Sequence, residues 1–187
     1  MNEIKVLDHG LVRLVASKEE DSSCGMGYAN NRMLLTFEVT APTVILADWG
    51  WPWYYDYAGS RFCEKTLEFY IPDVKQILRN QRNPKGQEFE AEEIQKKMKI
   101  MVLRAIDLYY SLLDQNVPRE LARTVLPLSI YSHLITSLTI NALFRFLDSW
   151  LNSRSKYEMR TYAQAMLDLA ATVAPNAVQE FNLRETK

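Results

Sequence analysis

The spacing of apolar residues changes near Ala91, and this change constrains the fold more than any other feature of the chain. Before it, Ile4, Val6, Leu11, Val12, Leu14 and Val15 flank an Asp8-His9-Gly10 turn signal, which predicts a hairpin at the start of the domain. Arg32 to Val39 alternates with a period of two, Pro42 punctuates the run, and Thr43 to Leu46 continues as a short helix or turn. Glu64 to Ile71 is a further strand candidate, whereas residues 17–31 and Asn80 to Glu88 read as loops. After Ala91 the period becomes three and four. Ile94, Met98, Met101, Val102, Ala105, Ile106, Tyr109 and Leu112 supply one apolar face of a long helix. Pro118 suits the first turn of a second, short helix that stops near Pro127. Ser129 is placed to cap a third helix through Leu151, and Ser155 with Glu158 has capping-box spacing for a fourth that fades before Pro175. Strands first and helices afterwards predict an α+β fold, a mostly antiparallel sheet packed against a helical layer.

A chain of 187 residues, 48% of them hydrophobic, can bury one good core, so a single domain over residues 1–187 is expected. The 22 basic and 23 acidic residues leave a formal charge of −1, which gives no bulk attraction to nucleic acid or to an anionic membrane. A small-molecule ligand fits better than a polymer. Cys24 and Cys63 lack CxxC spacing and suggest neither a disulfide framework nor a zinc site. The N-terminus has no basic-then-apolar signal pattern, and no run of 18 apolar residues occurs, so a cytoplasmic protein is expected. No Walker loop, dinucleotide glycine motif or Ser/His/Asp order is present. His9 belongs to a turn, and His133, beside Tyr131 in the expected third helix, reads as a satisfied buried imidazole.

The chemistry-bearing stretch is Arg119-Glu120-Leu121-Ala122-Arg123-Thr124-Val125-Leu126-Pro127-Leu128. Arginines four apart project to one side of a helix, leaving Leu121, Val125 and Leu128 for the core. Two guanidinium forks on one face can bind a phosphate bidentately. The plainer alternative is a solvated face with Glu120 as partner.

Together with Leu35-Thr36-Phe37-Glu38-Val39-Thr40-Ala41-Pro42 and Glu68-Phe69-Tyr70-Ile71-Pro72, this stretch resembles the flavin-dependent thymidylate synthase family, in the same order and at nearly the family's spacing. The resemblance implies that Arg123, and less directly Arg119, holds a nucleotide monophosphate. Ala58-Gly59-Ser60-Arg61-Phe62 resembles the family's Ser-Gly-Arg-Tyr segment, so Ser60 and Arg61 are implied as the other half of a phosphate site. Because the family draws these halves from different subunits, a homotetramer with shared sites is also implied.

The chain departs from the family's pattern where flavin and pyrimidine are handled. Trp51-Pro52-Trp53 stands in place of the Arg-His-Arg signature, and no counterpart exists for the family's activating histidine. Trp51 and Trp53 could instead stack on a planar ring, or fill space at a subunit interface. Asp56 is the nearby carboxylate available to replace the family's glutamate. The family's Asn-Ala-Arg flavin contacts become Thr139-Ile140-Asn141, with Arg145 replacing a later asparagine; Asn141 also pairs with the family asparagine if one residue is dropped. The pyrimidine-activating arginine becomes Trp150, and Arg154 is the residue that could compensate.

The expectation is therefore a divergent member that binds dUMP or dCMP and modifies the base at C5, with FAD as cofactor and a folate or another carbon donor. The catalytic residues are unassigned, and the alternative is a non-catalytic paralogue serving as a nucleotide-binding or assembly scaffold.

Overall fold

The computed structural model describes residues 2–19, 33–49, 67–80, 88–152 and 155–185. Four strands, β1 (Glu3–Val6), β2 (Gly10–Glu19), β3 (Met33–Pro42) and β4 (Tyr131–Thr139), form one sheet in the order β1-β2-β3-β4. The β1–β2 and β2–β3 pairs are antiparallel, with an irregularity between Leu14 and Ala16. The helices are α1 (Thr43–Asp48), α2 (Val74–Asn80), α3 (Glu88–Asp114), α4 (Arg119–Ala122), α5 (Ile140–Trp150), α6 (Tyr157–Val173) and α7 (Pro175–Glu185). A 3-10 turn covers Arg123–Val125. The architecture is α+β. No helix of the described residues is long and apolar enough to cross a membrane.

Internal contacts divide the chain into two compact units. The first holds most of the sheet with α5, α6 and α7. Alternation along β3 puts Leu35, Phe37, Val39 and Ala41 on a fully buried face, where the core also takes in Leu143 and Leu147 of α5 and Met159, Tyr162 and Met166 of α6. Trp49 stacks on Phe146 at a centroid distance of 5.4 Å, and Phe144 stacks on Phe181 at 4.7 Å. The Tyr162 hydroxyl donates to the Thr40 carbonyl at 2.9 Å. Burial pushes its pKa up, and the nearby Asp8 charge adds to the rise. The predicted hairpin turn needs its glycine: a Cβ on Gly10 would stand 2.1 Å from the Tyr162 hydroxyl and 2.4 Å from the Val6 carbonyl oxygen.

The other face of the sheet carries an ionic row across all four strands. Arg13 of β2 donates to Glu3 of β1 at 2.8 Å and to Glu38 of β3 at 2.8 Å, and Glu38 lies 3.2 Å from His133 Nε2 of β4. Hydrogen bonding to Glu3 is the main cause that raises the Arg13 pKa, followed by the Glu38 charge. His133 Nδ1 and the Thr40 hydroxyl are 3.3 Å apart, and the Thr36 and Ser137 hydroxyls are 2.8 Å apart.

This corrects the expected third helix. Tyr131–Thr139 is a strand, so His133 is a half-exposed strand residue rather than one buried in an apolar helix. The run is rich in aromatic and β-branched residues, Tyr131, Ile135, Thr136 and Thr139, and those preferences win over the capping signal at Ser129. The helix instead starts at Ile140, and the Thr139 hydroxyl caps it by accepting from the Ala142 N–H at 3.3 Å. Nor does the Ser155–Glu158 capping box form: Lys156 is the N-cap of α6, and Ser155 Oγ donates to the Ser149 carbonyl. Part of the expected loop, Ser17 to Glu19, extends β2. Of the Glu64–Ile71 strand, the described residues retain only an isolated bridge between Phe69 and Ile130.

The second unit holds α2, α3, α4 and the 3-10 turn. Helix α3 runs for 27 residues, about 40 Å at 1.5 Å per residue. It stops where Asn116 adopts φ 60, with the Val117 N–H on the Leu112 carbonyl and the Asn116 N–H on the Leu113 carbonyl, a Schellman ending. Asparagine tolerates that left-handed conformation better than most residues.

Candidate functional site

Three segments singled out in the sequence meet in the second unit. Leu128 to Tyr131 runs between Thr43-Val44 on one side and Glu68 to Tyr70 on the other. The Thr43 and Val44 N–H groups donate to the Ile130 and Leu128 carbonyls at 2.9 Å each, and the Thr43 hydroxyl also reaches the Ile130 carbonyl. On the other edge the Tyr70 N–H donates to the Ser129 carbonyl at 2.9 Å, and the Tyr131 N–H donates to the Glu68 carbonyl at 3.0 Å. Tyr70 is held in turn, because its hydroxyl donates to buried Gln76, which also accepts from the Asp73 N–H. The backbone that follows the arginine turn is thereby fixed from both sides.

The turn itself is compact. Leu121 and Ala122 N–H groups both donate to the Pro118 carbonyl, Leu126 N–H donates to the Arg123 carbonyl, and Thr124 Oγ1 donates to the Leu121 carbonyl at 2.7 Å. Pro118 is therefore the N-cap of α4 rather than a residue of its first turn. Only four α-helical residues form before the path tightens into the 3-10 turn, and this alters the expected packing. Leu121 and Leu128, expected in the core, are exposed, and fully buried Ala122 is the anchor. Arg119 is exposed, whereas Arg123 is half-buried with its Nε shielded from solvent. A guanidinium held in this way loses less freedom on gripping an anion than one swinging in water.

Asn141 and Arg145 lie in the first unit, one turn apart on the exposed side of α5. Trp150, at the end of α5, packs against that unit's core and offers no cation. Ser60, Arg61, Trp51, Trp53, Asp56 and Arg154 lie outside the described residues. Among the described residues no group of three or more His, Cys, Asp or Glu side chains could hold a metal ion.

Sequence reasoning missed Gln76, whose buried amide orders Tyr70; no motif marks it, because its role arises from the turn at Asp73. It also missed the hydroxyls of Ser129 and Thr136, which are buried without a hydrogen-bond partner among the described residues.

Fold and site together define an α+β protein in which the segment following an arginine turn is hydrogen-bonded on both edges. The family model described as thymidylate synthase complementing protein matches residues 31–176, and the chain belongs to that family. Among similar proteins, the flavin-dependent thymidylate synthase of Pseudothermotoga lettingae is 27% identical over 154 residues, 80% of this chain and 66% of that protein. The enzyme of the same name from Treponema denticola is 28% identical over 220 residues, 98% of this chain and 83% of that one. Among solved structures, the UMP/dUMP methylase PolB from Streptomyces cacaoi, bound with 5-Br dUMP, aligns with a TM-score of 0.74 at 22% identity, covering 96% of this chain and 97% of that one. At that identity the likeness establishes the shared fold.

Proposed function

We propose that this chain binds a pyrimidine nucleotide monophosphate, dUMP or dCMP, and modifies its base at C5. Arg123 grips the phosphate with Ser60 and Arg61, and Arg119 assists from the preceding turn. The observation that carries this reading is the lacing of Leu128–Tyr131 between two other segments, which fixes the turn bearing Arg123. The names of the relatives and of the PolB complex support it, since a thymidylate synthase and a UMP/dUMP methylase both act on a pyrimidine nucleotide. The chain works as one domain over residues 1–187, in the cytoplasm, as a homotetramer with shared sites; the family model spans residues of both units, which supports the first of these points.

FAD is the proposed cofactor. Exposed Asn141 and Arg145 are a donor pair of the type that flavin carbonyl and phosphate oxygens accept from, and so fit such a group, with Trp51 and Trp53 stacking on its ring. When bound, the flavin would supply redox chemistry, and a folate or another donor would supply the carbon. Asp56 and Arg154 are the residues proposed to compensate for the replaced family positions.

One observation favours the second reading, a nucleotide-binding or assembly scaffold without turnover. Trp150, partly buried, packs against the core at the position where the family's pyrimidine arginine is expected. Charge developing on the ring needs a preorganised donor, and losing one costs on the order of a hundredfold or more in rate.

Isothermal titration with dUMP, dCMP and dTMP tests the nucleotide site. A bidentate charged contact contributes about 3 kcal/mol, so Arg123→Ala should weaken binding by roughly a hundredfold, and unchanged affinity would refute the assignment. A yellow protein that bleaches with NADPH supports the enzyme, whereas a colourless one that ignores added FAD favours the scaffold.

A further inference from the structure

Gln76 is buried in α2, at 6% exposure, where a leucine of similar size would fill the same space. Burying an amide costs free energy unless it is hydrogen-bonded. Its Oε1 accepts twice, from the Tyr70 hydroxyl at 2.8 Å and from the Asp73 N–H at 3.1 Å, while the Gln76 N–H donates to Asp73 Oδ1 at 2.7 Å. The exchange with Asp73 closes the first turn of α2 reciprocally, so the amide swings away from Tyr70 only by opening the start of the helix. A second glutamine acts on the same segment: Gln95 Nε2 of α3 donates to the Pro72 carbonyl at 2.8 Å. Tyr70 to Asp73 is thus tied by glutamine side chains to two helices of its own unit.

We propose that Gln76 is a positioning residue for phosphate recognition, acting through Tyr70 on the turn that carries Arg123. The inference rests on the nucleotide reading above and brings into it a residue that touches no ligand. The path is short. Tyr70 is itself buried, at 8% exposure, and its N–H donates to the Ser129 carbonyl at 2.9 Å. The adjoining Phe69 bridges to Ile130, so the Tyr70 backbone and one edge of Leu128–Tyr131 are coupled.

An apolar pair at these two positions would hold the core equally well, because exchanging both partners of a buried hydrogen bond for apolar groups of like shape is nearly neutral. What the polar pair adds is direction. With leucine at position 76, the Tyr70 hydroxyl loses its Gln76 acceptor inside the protein, and the cost of a buried donor deprived in this way exceeds what the bond contributed. The phenol lowers that cost by turning toward water. Its backbone then gives up the Ser129 carbonyl, and the segment after the arginine turn is held less firmly on that edge. Arg123 must be ordered by the ligand instead of by the fold, which for one side chain lowers affinity roughly three- to tenfold.

The test takes the nucleotide that binds more tightly, dUMP or dCMP, and compares it with its own phosphate-free nucleoside. Calorimetric titration of the full chain gives the first affinity, and competition against the nucleotide gives the second. Gln76→Leu should weaken the nucleotide roughly three- to tenfold while the nucleoside stays within about a factor of two. Tyr70→Phe, which deletes a single oxygen and keeps the fold even if Gln76→Leu does not, should act in the same direction. Tyr162→Phe in the first unit is the control: it removes a buried hydrogen bond and stability, and should leave the ratio of the two affinities native. A role in stability alone predicts a lower melting temperature for Gln76→Leu and Tyr70→Phe with that ratio unchanged, and this result would overturn the proposal, as would equal losses for nucleotide and nucleoside. A native protein that binds both alike removes the nucleotide reading and this inference with it, whereas a native preference for the nucleotide that survives both substitutions removes the inference alone.

Discussion

Replacing Tyr162 by phenylalanine should destabilise the protein at neutral pH and cease to do so in alkali. Tyr162 is fully buried, and its hydroxyl donates to the Thr40 carbonyl of β3 at 2.9 Å, tying α6 to the sheet. Removing the donor leaves that carbonyl without the bond, which costs about 1–2 kcal/mol. The phenol's pKa is raised in the folded protein by burial and by Asp8, whereas in the unfolded chain it keeps the ordinary value near 10. A group whose folded pKa is raised contributes its full stability below the unfolded pKa and loses it as pH climbs beyond that value. Above pH 10 the unfolded chain releases the proton and the native state does not, so the contribution of Tyr162 falls by about 1.4 kcal/mol per pH unit. One unit above 10, the native protein and Tyr162→Phe should have nearly equal stability. Urea unfolding followed by fluorescence from pH 8 to pH 11 measures both, and the other tyrosines and the lysines cancel because the two proteins share them. A gap between the two curves that stays constant over this range would show that the hydroxyl is not the buried donor described.

Thr136→Val should be neutral or stabilising by up to about 1 kcal/mol, because it removes a buried hydroxyl that has no partner among the described residues while keeping the side chain's shape; a loss of more than that in urea titration would reveal an unrecognised bond. Arg145→Ala and Asn141→Ala, on the open side of α5, should leave the melting temperature within a degree or two while reducing the amount of flavin the protein retains on desalting, and equal retention would remove both from the cofactor site.

The fold class was legible because hydrophobic periodicity is a local property. The opening hairpin, β3 and the long helix were each marked by spacing within their own residues. Tyr131 to Thr139 was misread because its strand character depends on a partner about a hundred residues earlier: the Ser137 hydroxyl meets Thr36, and His133 meets Glu38. Neither contact leaves a trace in the local pattern, and Ser129, two residues after Pro127, imitates a helix cap. The same limit explains the arginine turn. Spacing put Arg119 and Arg123 on one side of a helix, which holds only while the helix lasts, and it gives way to a 3-10 path at Arg123. The motif was visible as residue types, but the difference between an exposed Arg119 and a partly shielded Arg123 required the tertiary contacts.

These two arginines therefore carry different weight. Arg119 is exposed, so solvent screens its contacts and it adds charge but little specificity. Arg123 sits in a turn whose continuation is hydrogen-bonded on both edges, and its Nε is already shielded. Substitution by lysine separates the two contributions. Arg119→Lys preserves the charge and should leave dUMP affinity within about a factor of two, whereas Arg123→Lys loses the planar fork and should weaken it by about tenfold or more. Equal losses at both positions would mean that the site reads only net charge, and the lacing of the Leu128–Tyr131 segment would then have no part in recognition.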